Sequence, residues 1–112
     1  MIRIIFIICL FCIIFNCTLF SPLSEAAYEV TGTATLVDIT FKNSDGKISV
    51  HKNKKPPWIY IFQAKPRFVA FFSVQSKVKT GSITARLYKE GEVLKSVSAD
   101  SAFAFVAIRD TL

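Results

Sequence analysis

The chain has 112 residues, with 14 Lys or Arg against 8 Asp or Glu and a net charge of +6. A stretch of this length is expected to hold one domain, and the basic balance favours anionic neighbours over cationic ones. The hydrophobic content of 52% overstates the apolarity of the folded part, because the first 20 residues are almost uniformly apolar.

The N-terminus reads MIRIIFIICLFCIIFNCTLFSPLSEAAYEV. One cation, Arg3, precedes an apolar run from Ile4 to Phe20, and SPLSEAA follows. This is the layout of a secretory signal: a short positive end, an apolar segment, and a polar stretch with small residues. Ser24 and Ala26 occupy the minus-three and minus-one places of an A-x-A-like site, so cleavage is expected after Ala26. The alternative is an uncleaved membrane anchor, since the run of about 17 residues approaches the roughly 20 that span a bilayer. The expected organisation is therefore a signal peptide or anchor over residues 1–26 and a single domain over 27–112. Its location is extracytoplasmic: secreted or periplasmic, or held at the inner membrane by residues 4–20.

All three cysteines, Cys9, Cys12 and Cys17, lie inside the apolar run. The exported domain has none, so no disulfide supports it and its core alone must stabilise it. At about 86 residues it buries only about 60 to 65% of its unfolded surface. Removing Arg3 and Glu25 leaves 13 basic and 7 acidic residues, still +6. The expected neighbours of an exported domain with that charge are anionic envelope components, and nucleic acid is not expected.

From Ala27 onward the apolar pattern has period two. TLVDITF sends Val37, Ile39 and Phe41 to one side and Asp38 and Thr40 to the other, as in a half-buried strand. NSDG at 43–46 is a turn, with Gly46 supplying positive φ. KISVHK then resumes the alternation with Ile48 and Val50 inward and His51 outward, which makes Asp38 to His51 a β-hairpin. In KNKKPPWIYIF, residues 52–62, the two prolines cannot donate to a ladder, so the lysines fall in a connecting loop and a strand starts at about Trp58. Trp58 and Tyr60 share one face of it and Ile59 and Ile61 the other, so one apolar face is partly exposed.

RFVAFFSVQ, residues 67–75, is apolar on both faces and reads as a central strand. SITARLY places Ile83, Ala85 and Leu87 on one face, KEGE turns at Gly91, and EVLKSVS returns as a second hairpin. AFAFVAI near the C-terminus resembles the central strand. Seven or eight short strands with regular turn signals and no helical period predict an all-β fold, a β-sandwich.

Signals for chemistry are sparse. His51 is the single histidine and reads as a surface residue. The aspartates lack calcium-loop spacing, the serines have no base at a recognisable spacing, and no glycine-rich phosphate loop follows a strand. The expectation is a non-enzymatic protein with no cofactor and no metal. The one surface with a ligand-like composition combines Lys52, Lys54, Lys55 and Arg67 with Trp58 and Tyr60, because cations and exposed aromatics suit an anionic or glycan ligand. The competing readings are a solvated charge run and a tryptophan that anchors the core or its rim.

YEVTGTATLVDITFKNSDGK, the Pro57-Trp58 pair and GSITARLYKEGEVLKSVSADSAFAFVAIRDTL, in that order, resemble the MmpS family of small mycobacterial membrane proteins. The likeness falls on Tyr28, Val30, Thr31, Gly32, Ile39, Thr40, Asp45 and Gly46. It continues through Pro57, Trp58, Ser73, Gln75, Gly81, Ser82, Ile83, Tyr88, Gly91 and Val93. The resemblance implies a short membrane segment followed by an immunoglobulin-like β-sandwich outside the cytoplasm. It also implies partnership with an RND-type membrane transporter that exports lipids or siderophores. Two functions follow: an accessory subunit of such an envelope transport system, or an independently secreted module that binds an anionic or glycan ligand through its basic stretch.

Overall fold

The computed structural model describes residues 23–112. The apolar run at 4–20 and its three cysteines lie outside the described residues, as does most of the expected signal or anchor. The described chain is all-β. Eight strands follow one another: β1 Ser24–Thr31, β2 Val37–Lys42, β3 Ile48–Lys54, β4 Trp58–Ala64, β5 Val69–Ser76, β6 Ile83–Lys89, β7 Glu92–Ala99 and β8 Phe105–Thr111. They form two four-stranded antiparallel sheets, sheet A in the order β4-β1-β6-β7 and sheet B in the order β3-β2-β5-β8.

The two sheets pack as a sandwich around one core. Sheet A contributes Tyr28, Val30, Phe62, Ile83, Ala85 and Leu87, and sheet B contributes Val37, Ile39, Phe41, Phe72, Val74, Val106 and Ile108. Each set sits at every second position of its strand, as the pleat requires. Tyr28 is central: it is fully buried, and its ring lies 4.6 Å from Phe72 and 5.0 Å from Phe62, centroid to centroid.

Local sequence explains the hairpins. Between β2 and β3 the Asn43 Oδ1 accepts from the N–H of Asp45 at 2.9 Å and of Lys47 at 3.1 Å, while Gly46 takes φ +84. Between β6 and β7 the two-residue loop Glu90-Gly91 has both residues at positive φ, the geometry whose twist matches the flanking strands. Gly32 has a different role. It ends β1 at φ +131, where a Cβ would collide with the Ser82 carbonyl, so only glycine lets the two backbones meet. Close by, the Ala34 N–H donates to Ser82 O at 3.0 Å.

Four expectations require correction. Ile48 and Val50 point outward, 59% and 52% exposed, while Ser49 and His51 point inward. The turn sets this: Lys42 pairs with Ile48 and Phe41 with Ser49, so the residues that face Phe41 and Ile39 belong to the core side. A shift of one residue exchanges the faces of a whole strand. His51 is consequently a core-rim residue, edge-on to Phe41 at 5.1 Å and to Trp58 at 5.9 Å, rather than a surface one. Lys52 and Lys54 lie on β3, which runs to Lys54, and only Lys55 belongs to the connection. The C-terminal apolar stretch forms an edge strand, with Phe105 58% exposed, because β8 pairs with β5 alone.

The expected cleavage point falls inside β1. Ser24, Glu25 and Ala26 pair with Ala64, Gln63 and Phe62 of β4, and Ala26 is buried.

Candidate functional site

The basic and aromatic residues singled out by sequence are only partly assembled. Lys52, Lys54 and Lys55 are exposed along β3 and just past it, and Trp58 begins β4 after the Pro56-Pro57 corner. Trp58 and Tyr60 turn toward the core. The Trp58 ring lies 5.3 Å from Phe41, and the Tyr60 ring lies 4.7 Å from Phe41 and 5.9 Å from Tyr28. The Tyr60 hydroxyl accepts from the Ser44 N–H at 3.2 Å. These rings are occupied by packing, so they do not form a stacking platform beside the lysines. Arg67 is exposed on the connection after β4, whose seven residues separate it from Trp58 by roughly 20 Å. It borders a shallow cleft with Lys42, Lys65, Asp45 and Phe68, where Lys42 Nζ stands 5.2 Å from the Phe68 ring centre.

A better-defined surface lies on the outer face of sheet A. Strand register places Ile61, Ala27, Tyr88 and Val93 in one row across all four strands. The next row is Ile59, Glu29, Arg86 and Ser96. Ile59, Ile61, Ala27 and Tyr88 line an apolar groove of about 240 Å³, with Glu25 and Gly91 also in its lining. Ile59 and Ile61 are 54% and 59% exposed, which is a large apolar area left in water on one strand.

Polar groups fix the groove's lower wall. The Tyr88 hydroxyl donates to Glu29 Oε1 at 2.7 Å, and Arg86 Nη1 stands 3.6 Å from the same oxygen. The hydrogen bond to the Glu29 carboxylate pushes the Tyr88 phenol above its ordinary range, and the same bond ties the ring to the groove wall. Further along the same face the character changes to hydroxyls, with Thr84 Oγ1 and Ser98 Oγ 2.9 Å apart beside Ser82 and Asp100.

Part of this groove was visible in the sequence, because Ile59 and Ile61 alternate with the two aromatics that occupy the opposite face. Tyr88 carried no such signal; only the register of two strand pairs brings it across Ala27 from Ile61. Among the described residues no His, Cys, Asp and Glu cluster has the grouping of a metal site, and no helix is long and apolar enough to cross a membrane. No family model matches the chain, and no curated protein matches it.

Proposed function

We propose that the chain is an exported, non-enzymatic β-sandwich that acts as an MmpS-like accessory subunit of an RND-type envelope transport system and docks on its membrane partner through the outer face of sheet A. The observation that carries this reading is the apolar groove of Ile59, Ile61, Ala27 and Tyr88, which lies beside the point where the chain arrives from its apolar N-terminal run. Ser24 pairs with the last residue of β4 and Glu25 lines the groove, so the first strand of the described chain borders this surface. Exposed apolar patches rimmed by polar residues mark interaction sites.

Retention of the N-terminal segment as an anchor fits this role better than removal after Ala26. Cleavage there strips β1 of three paired residues, and the buried Ala26 among them.

The test is affinity purification of the tagged full-length protein from its native host, with identification of co-purifying membrane proteins. Co-purification of an RND-type transporter, lost in Ile59→Asp, is the expected result. A monomer that leaves the membrane and retains an anionic envelope polymer would overturn it in favour of the binding-module reading. In that outcome, neutralising Lys52, Lys54 and Lys55 together weakens retention in a salt-dependent way, because exposed charges are screened within about 8 to 10 Å.

A further inference from the structure

The four sheet edges of the sandwich are not equally protected against pairing with another strand. On β3 the edge carries Lys52 and Lys54, the positive-φ Asn53 and a register shift opposite Val37 and Ile39. The β7 edge carries Glu92, Lys95 and a register shift near Leu87, and β8 carries Arg109 and Asp110. Charges and bulges of this kind keep an edge from acting as a template. In contrast, β4, Trp58-Ile-Tyr-Ile-Phe-Gln-Ala64, has no charged residue, and its seven pairs with β1 run without irregularity. Among the described residues no strand lies along its other edge.

We infer that β4 is a self-association edge, on which a second copy of this chain pairs its own β4 antiparallel to make one continuous eight-stranded sheet. The register follows from the strand itself. For all seven residues to pair, the twofold axis must pass through Ile61, which sets Ile61 against its copy, Ile59 against Gln63, Tyr60 against Phe62 and Trp58 against Ala64. Every outward side chain then meets an outward one, and every inward side chain meets an inward one, as the pleat demands. No like charges face each other across the junction, although each copy carries +6. The same exercise on β3 brings the lysine-bearing edges together. A second copy is therefore the occupant whose chemistry this edge matches.

The pairing has a consequence for the groove. The row Ile61, Ala27, Tyr88, Val93 continues through the twofold into the same row of the second copy, so the two half-grooves meet at Ile61. An edge contact of seven residues a side is smaller than the roughly 800 Å² per partner of a standard stable interface. The dimer is accordingly weak in dilute solution and forms where copies are concentrated. The inference concerns the edge of β4, whereas the transporter reading concerns the outer face of the same strand, and Ile61 belongs to both.

The test uses the full-length chain in detergent with Cys9, Cys12 and Cys17 replaced by Ser and a single new cysteine at either Ile61→Cys or Ile59→Cys. Directly opposed residues in an antiparallel pair stand about 4.5 to 5.5 Å apart at Cα, within disulfide reach. Ile61→Cys is expected to form a disulfide-linked dimer under mild oxidation. Ile59→Cys is not, because its opposite number is four residues away along the strand. Raising the salt concentration should increase the yield, since it screens the repulsion between two +6 copies. Ile61→Lys, at an exposed site, should keep the β-rich circular dichroism while weakening association about tenfold, through like charges at the twofold. Equal cross-linking at positions 59 and 61, or a yield that falls with salt, would each overturn the inference.

Discussion

Replacing Tyr28 with Phe isolates one hydroxyl on which the two sheets depend. Tyr28 belongs to sheet A, yet its hydroxyl donates to the Lys42 carbonyl at 2.8 Å and accepts from the Phe71 N–H at 3.4 Å, both in sheet B. The β2–β5 ladder stops at Phe41 opposite Phe72, so the phenol bridges the next donor and acceptor where those strands part. Tyr28→Phe retains the ring contacts and leaves both backbone groups without this partner. At about 1 kcal/mol for each lost hydrogen bond the expected cost is about 2 kcal/mol. For a domain of this size that lowers Tm by about 8 to 16 °C, measurable by calorimetry.

A pH series adds a second readout. Burial pushes the Tyr28 phenol from 10.0 up to about 12, more than the Phe71 N–H hydrogen bond lowers it. The folded state thus holds this proton more tightly than the unfolded state. Its contribution is complete below about pH 10 and is lost as pH rises through about 12. Tyr28→Phe lacks this step, so the stability gap between the two proteins should narrow across that window. A variant as stable as the parent at neutral pH, or a gap that stays constant up to pH 12, would refute the bridging role.

Three other changes have definite expectations. Leu87→Ala opens a hole at a fully buried position of β6 and should cost about 2 to 5 kcal/mol in a denaturant titration. His51→Phe should raise stability by about 1 kcal/mol in thermal unfolding, because the buried Nδ1 of His51 has no hydrogen-bond partner while its ring already packs as an aromatic against Phe41 and Trp58. Gly32→Ala should destabilise by more than about 2 kcal/mol, since it combines unfavourable φ with a collision against Ser82, whereas Gly91→Ala meets open space and should cost only about 1 kcal/mol of backbone strain. Chemical denaturation of the two glycine variants side by side separates collision from conformational preference.

Local pattern was enough to establish the all-β character, the two hairpins and much of the core. Where one side of a strand is polar, as in β2 and β6, alternation identifies the buried side without further information, and Val37, Ile39, Phe41, Ile83, Ala85 and Leu87 are buried as their spacing indicates. In β3 the pattern was misleading. Ile48 and Val50 look like the inward pair, but turn length and the pairing of Phe41 with Ser49 decide the face, and that information lies outside the strand. The AFAFVAI stretch likewise does not say whether β8 is central or at an edge, because strand order is set by non-local pairing. The lysines, Trp58, Tyr60 and Arg67 share an attractive composition, but only packing reveals that the rings face inward and that β4 separates Arg67 from the rest. The apolar groove follows the same division: alternation exposes Ile59 and Ile61, while the register of β1 and β6 adds Ala27 and Tyr88. A single strand encodes which residues share a face; only its neighbours determine whether that face is covered.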